Sequence, residues 1–330
     1  MSYKDLVIID NEKVSKKNNI FYCDNFEAKI SEDFKSNFNV TFIARKSKVD
    51  RVKKIDLQKI EIASNIFSFL FNIFKTFKKN ETTYLLIAIN PYTFISFLFL
   101  FIFRKKIFVY LRSDGHEEYK AILGHIGPII YNLMYRIVTF KSKIITCQKR
   151  LFTHRKSYVV YPSELNSSWL NDRKKPLIDN PRLLYVGRIK VEKGIFSLLE
   201  MIKNQDKINL TILGATKDNI KKINQNNVKV FEIENEENNI IKFYDDHNIF
   251  ILPSYTEGHP MVLLESLARL RPVIVFKEIK HVIGDYEGIF VSERNSEDLI
   301  KKINYIKENY EEIQERMKKN ELPTKEMFLN

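Results

Sequence analysis

The chain is predicted to be an α/β protein of two domains, each a parallel sheet flanked by helices. Three observations predict this. A length of 330 residues suits two domains, a hydrophobic content of 44% suffices for a core in each, and short β-branched or aromatic runs alternate with helical periodicity along the whole sequence.

In the first half the strand candidates are LVIID, IFYCDN, NVTFIA, TYLLIAIN, KIFVYL, KIITCQ and SYVVYP, separated by helical stretches at 66–77, 92–103 and 117–140. The second half alternates more cleanly. RLLYVG leads into IFSLLEMIK, INLTILG into KDNIKKIN, VKVFEI into NIIKFYDD, and IFILPS into PMVLLESLARL, with PVIVF as a further strand. Residues 296–319 read as one or two exposed helices. Periodicity lapses in NDRKKPLIDN, punctuated by Pro176, so the expected division is 1–175 and 176–330, with the last helix free to cross back to the first domain.

Charge is divided unevenly. Residues 1–180 hold 31 Lys and Arg against 17 Asp and Glu, and the remainder 23 against 24, so the basic excess lies in the first half. Cys23 and Cys147 stand far apart in no metal-finger spacing, which excludes a disulfide framework and a structural zinc site. The first residues lack the apolar core of a secretion signal, and a cytoplasmic setting is expected. The apolar run 94–103 has roughly half the ~20 residues needed to cross a bilayer.

Two segments carry the chemistry. In TEGHPMVLLES, Glu257 and Glu265 flank a Gly258-His259-Pro260 turn, and a helix is expected to begin near His259 or Pro260. Backbone amides at such a start, from Gly258 through His259, Met261 and Val262, face outward at a positive helix end and suit an anion. Each acid can then bond a hydroxyl. In VGRIKVEKG, Gly187 and Arg188 end a strand, and Lys193 and Gly194 open the next helix, which sets two cations at the carboxyl edge of a sheet. Arg188 offers a planar fork for phosphate oxygens and Lys193 a compact charge.

Together these segments resemble the family-4 glycosyltransferases, which are retaining, nucleotide-sugar-dependent enzymes of the GT-B fold, two Rossmann-like domains facing each other across a cleft. The resemblance rests on GRIKVEKG, on DDHNIFILPSYTEGHPMVLLES with its Glu-x7-Glu spacing, and on their order and separation; it covers chiefly residues 180–275. It implies that Arg188 and Lys193 hold the donor diphosphate, Glu257 contacts the transferred sugar, and Glu265 contacts the ribose. The amides of His259 to Val262 would lie against sugar and phosphate. No cofactor and no metal are implied: the donor is itself the nucleotide sugar, and Asp245-Asp246-His247 lacks the Asp-x-Asp spacing of metal-dependent transferases and reads as a solvated helix end.

The chain departs from the family in three places. Only Gly115, Gly124 and Gly127 precede residue 180, so the glycine-rich loop after the first strand is missing, and Leu270-Arg271 replaces a small residue and glycine, a change expected to affect packing. The histidine that many members carry at the sugar-facing end of a first-domain strand corresponds here to the region VYLRSDGHEEY. In it Asp114 is the candidate acceptor-side base, with Arg112 or His116 beside it, although a turn at Asp114-Gly115 capping the next helix reads equally well. His125, His154 and His281 read as ordinary loop residues and Trp169 as packing.

The expected function is transfer of a sugar to a hydroxyl of a glycan or lipid-linked acceptor in bacterial surface polysaccharide synthesis. The expected place is the inner face of the plasma membrane, where Phe-rich stretches at 66–77 and 94–103, flanked by Lys and Arg, suit an anionic surface. Between the two, 94–103 is expected to be buried and 66–77, interrupted by Asn72 and Lys75, to face lipid. The alternatives are a nucleotide-sugar epimerase of the same fold, or a nucleic-acid-binding protein; the latter has only the basic pI of 9.4 in its favour, with no RRM, KH or helix-turn-helix signature.

Overall fold

The computed structural model describes residues 4–23, 32–51, 53–78, 81–111, 115–147, 157–205, 207–214, 223, 225–232 and 237–329. Contacts divide the chain into two compact units, Met1–Val160 and Tyr161–Phe328.

In the first unit, β1 (Lys4–Lys17), β3 (Phe38–Lys46), β5 (Lys59–Ala63), β6 (Thr83–Ile87), β7 (Lys106–Leu111), β8 (Lys143–Thr146) and β9 (Ser157–Val159) form a parallel sheet in the order β5-β3-β1-β6-β7-β8-β9. β1 runs well past this sheet. Its far end turns through Asn18 and Asn19, both with positive φ (49° and 61°), into β2 (Ile20–Cys23), which pairs antiparallel with it and with β4 (Lys53–Lys54). A strand that continues into a hairpin occupies the position where a glycine-rich loop was missing from the sequence.

Helices α1 (Ile66–Lys75) and α2 (Pro91–Ile102) begin at capping boxes, Asn65 with Ser68 and Asn90 with Thr93, and Pro91 stands at the first helical position where its missing N–H costs nothing. The stretch read as one helix over 117–140 is two, α3 (Gly115–Leu123) and α4 (Gly127–Lys141), broken where Gly124 takes φ 63°. One core packs these helices on the sheet and a second lies on its other face.

The second unit is a single six-stranded parallel sheet in the order β12-β11-β10-β13-β14-β15, formed by β10 (Arg182–Val186), β11 (Asn209–Leu213), β12 (Val228–Phe231), β13 (Ile249–Leu252), β14 (Val273–Phe276) and β15 (Ile289–Ser292). β13 and β14 are buried throughout, as expected of strands covered on both faces. Chain order reverses direction between β10 and β13, the switch point at which open α/β sheets bind ligands. Helices α5 (Ile195–Ile202), α6 (Glu237–Asp246), α7 (Met261–Ala268), α8 (Ser296–Glu308) and α9 (Tyr310–Met317) surround one continuous core.

The division at Val160 and Tyr161 lies before the polar segment in which the sequence placed it. The start of that segment, with the residues just before it, is fixed to the second unit by two buried arginines. Arg269 donates to the carbonyls of Trp169 (3.1 Å), Asn171 (2.6 Å) and Asp172 (2.9 Å), and Arg271 to that of Lys174 (2.8 Å). Trp169 is buried against Tyr244, a packing role as expected.

The same arginines correct the reading of Asp245 as a solvated helix end. Its carboxylate receives both Nε and Nη2 of Arg269 at 2.9 Å, and its side chain is 4% exposed. Only Asp246 faces solvent. Asp245→Asn leaves two buried guanidiniums without their counter-charge and is expected to lower stability by about 3–5 kcal/mol, while Asp246→Asn should be close to neutral; urea unfolding of the two variants measures the difference.

Candidate functional site

The two motif segments leave the carboxyl ends of β10 and β13, which are hydrogen-bonded neighbours at the switch point. They meet at Gly194. This residue adopts φ 66°, and a β-carbon there would lie 1.9 Å from the carbonyl oxygen of Pro253, so only glycine lets the first loop lie on the second. A hydrogen bond from Tyr255 N to the carbonyl of Glu192 (3.0 Å) closes the same junction.

That junction brings Lys193 to Glu257. Nζ of Lys193 lies 2.6 Å from Oε1 of Glu257, with side-chain exposures of 22% and 11%. Ser254, fully buried at the end of β13, donates from Oγ to the same oxygen at 2.6 Å. Among the described residues Glu257 thus receives one charged and one neutral donor. Gly187 directly follows β10, and Arg188 comes next, exposed to solvent; the Arg188 carbonyl accepts from the Tyr185 hydroxyl at 2.9 Å. Burial, and then the charge of Glu257, push the Tyr185 phenol up, so it remains a donor.

Helix α7 begins one residue later than expected, with Pro260 as its N-cap and no side chain capping it. The loop residues Gly258 and His259 and the first helical residues Met261 and Val262 are half-buried at this end. The His259 ring is engaged elsewhere, Nε2–H donating to the carbonyl of Pro162 (2.8 Å). Glu265 lies in the second turn of α7, where the Tyr244 hydroxyl donates to Oε2 at 2.7 Å. Burial and the Glu265 charge together hold the Tyr244 phenol well above its ordinary range, which keeps its proton on the shared bond.

Sequence reasoning missed the side chains that support these groups. Besides Ser254 and Tyr244, His281 donates from Nε2 to the carbonyl of Glu257 (2.9 Å), although it read as an ordinary loop residue. Arg294 stacks over Tyr255 and Phe276 and donates to the carbonyl of Ser254 (3.3 Å). Its hydrogen bonds to Glu278 hold that carboxyl below its usual range. Ser254 had a local signal in its place directly after IFILP; the others come from distant sequence. Asp114, with Arg112, lies outside the described residues, whereas His116 packs edge-on against Tyr131 at 4.7 Å. Among the described residues no group of three or more His, Cys, Asp or Glu is arranged to hold a metal ion.

Residues 169–322, which include both loops, match the family of glycosyl transferases group 1. An uncharacterised glycosyltransferase of Haemophilus influenzae is 27% identical over 201 residues, 54% of this chain and 55% of that protein. The N,N'-diacetylbacillosaminyl-diphospho-undecaprenol alpha-1,3-N-acetylgalactosaminyltransferase of Campylobacter jejuni is 27% identical over 162 residues, 46% of this chain and 40% of that protein. The chain thus spans about half the length of the curated relatives it matches. Among solved structures, Anabaena HepE in complex with UDP and glucose superposes with a TM-score of 0.67 at 13% identity, covering 96% of this chain and 93% of that one. The fold, two parallel-sheet α/β units, is that of GT-B glycosyltransferase structures, and its second unit carries the group 1 match.

Proposed function

We propose that the protein is a retaining glycosyltransferase that takes a sugar from a nucleoside diphosphate and attaches it to a hydroxyl of a glycan or lipid-linked acceptor. The observation that carries this reading is the contact of Lys193 with Glu257 at the switch point beside Arg188. The group 1 match over these residues supports it, as do the UDP and glucose of HepE and the polyprenyl-linked substrate in the name of the Campylobacter enzyme.

In this reading the bond between the anomeric carbon and the diphosphate oxygen breaks with its electron pair passing to that oxygen. Arg188 and Lys193 meet the charge that develops there, an interaction stronger in the transition state than in the ground state. An ammonium has three donors, so Lys193 can keep Glu257 with one and turn others to phosphate. Glu257 orients the sugar, Glu265 the ribose, and the amides of Gly258 to Val262 face sugar and phosphate. The acceptor oxygen bonds to the anomeric carbon on the face the phosphate leaves, and Asp114 is the proposed recipient of its proton. The two cations fill the role that a metal ion fills in Asp-x-Asp enzymes.

With a radiolabelled nucleotide sugar and an acceptor extract, Arg188→Ala and Lys193→Ala are each expected to reduce turnover by about 10²–10³-fold; wild-type rates in both would refute the assignment. Transfer should persist in excess EDTA, and a loss restored by manganese would show that a metal carries the leaving-group charge. Tyr244→Phe preserves the packing against Trp169 and Phe250 but removes the donor to Glu265. It is expected to weaken nucleotide binding about tenfold, or ~1.4 kcal/mol, with folding retained, as read by calorimetric titration and thermal unfolding.

A further inference from the structure

The first unit carries a surface that the donor site does not use. Helices α1, α2 and α4 lie side by side on one face of its sheet, anchored inward by Phe69 and Ile73, Phe97 and Leu100, and Met134 and Val138. Their outward faces are apolar as well. On α1 the exposed stripe is Phe67, Phe71 and Phe74; on α2 it is Ile95, Leu98 and Ile102; and along α4 and the turn before it, Ile126, Ile130, Leu133, Ile137 and Phe140. Each follows a spacing of i, i+3 or i+4, i+7 that defines one side of a helix. Phe67 is 81% exposed, Ile102 73% and Ile129 69%. On α4 the only exposed polar residues are Asn132, Arg136 and Lys141. A water-facing side of a helix is ordinarily polar, and an apolar surface spread over three adjacent helices marks a place where something other than water is met.

Charge identifies the occupant. The three helices contain no Asp or Glu. Because they connect parallel strands they run in one direction, and their carboxyl ends share an edge of the layer. That edge holds Lys75, then Arg104, Lys105 and Lys106, then Lys141 and Lys143. Several of these fold back over rings at the border of the apolar face: Lys75 over Phe71 (4.7 Å), Lys105 over Phe77 (4.4 Å) and Lys141 over Phe140 (4.7 Å). Cations at helix ends also complement the helix dipoles, but that leaves the apolar stripes unexplained. A second copy seated on the same face would bring two acid-free, basic surfaces together. An anionic bilayer satisfies both features, the hydrocarbon boundary taking the stripes and the lipid phosphates the basic edge.

We propose that the outer face of α1, α2 and α4 docks on an anionic lipid surface, lying in its headgroup layer. The helices are too short to do more: among the described residues none is long and apolar enough to cross a membrane. The surface differs from the one expected from sequence. Asn72 faces inward, the outer half of α2 is exposed, and α4, which no Phe-rich run marked, contributes the longest stripe.

The test is sedimentation of the full chain with phosphatidylcholine vesicles and with vesicles that also contain phosphatidylglycerol. Binding is expected to the second kind and to weaken as sodium chloride is raised. Ile129→Gln with Leu133→Gln, and separately Lys106→Glu with Lys141→Glu, should each weaken it at least about tenfold, with thermal unfolding like that of the wild type. Absence of binding to the anionic vesicles, or binding at the wild-type level by both double variants, overturns the proposal. So does a stable dimer in solution that Leu133→Gln dissolves, which would assign the face to a second copy. The measurement is independent of transfer, so a failed donor-site assignment would leave its outcome unchanged.

Discussion

The candidate site depends on how closely two backbones approach at Gly194. A loop that leaves β10 and one that leaves β13 start on adjacent strands, yet adjacency alone would leave them a side chain apart. With no β-carbon at Gly194, the first loop settles on the carbonyl of Pro253, and Glu192 can accept from Tyr255. Lys193 is thereby carried to Glu257 without any long side chain having to reach across solvent. The cation and the acid are precise because the glycine beside them is small. Gly214 makes a comparable approach on the next strand, where a β-carbon would lie 2.5 Å from the carbonyl of Gly187. The carboxyl edge of the sheet is therefore backbone packed on backbone, and its functional groups stand on that base.

Electrostatics then decides what the half-buried acids do. A carboxylate removed from water needs donors, and Glu257 has Lys193 and Ser254 on one oxygen. Glu265 has Tyr244, whose own environment keeps it protonated. Both acids are held by these donors, and groups held in place before binding cost less to order during it. The pairing of Lys193 with Glu257 also means that the cation is not an isolated charge waiting for phosphate. In the proposed assignment it joins the acid assigned to the sugar to the side assigned to the phosphate, which suits a reaction whose breaking bond lies between the two.

The second unit was more legible in the sequence than the first. Its four central strands are short buried runs ended by Gly, Pro or a polar residue, and the two motifs stand where strand passes into loop, so local pattern and topology agree. What local pattern could not show was the partner of each group. Tyr244 stands 21 residues from Glu265, and Arg269 reaches back 98 residues to the carbonyl of Asn171. Segment 171–180 reads as a linker because it is polar, yet the carbonyls of Asn171, Asp172 and Lys174 accept from guanidiniums supplied from the far end of α7. Asp245 reads as solvated for the same reason: a buried charge and an exposed one look alike until the counter-charge is located. The extension of β1 and the strand Lys59–Ala63 were likewise hidden, because KIEIA is too short and too charged to stand out and the hairpin at Asn18 and Asn19 lacks glycine.

The Phe-rich helices show a different limit. Hydrophobic periodicity finds the inner face of a helix by contrast with a polar outer face, and α2, PYTFISFLFLFI, offers almost none. Composition alone then allows burial on all sides or exposure on one. Sheet order resolves it. A helix connecting β6 to β7 can bury only the side that meets the sheet and its neighbours α1 and α4, which leaves Ile95, Leu98 and Ile102 outward whatever their hydrophobicity. The same constraint makes the three stripes parallel and gathers the cations that follow each helix along one edge. An apolar face with a basic border therefore arises from the topology of the layer together with residue choice at the outward positions, and residue choice there was free: folding of the core did not require it.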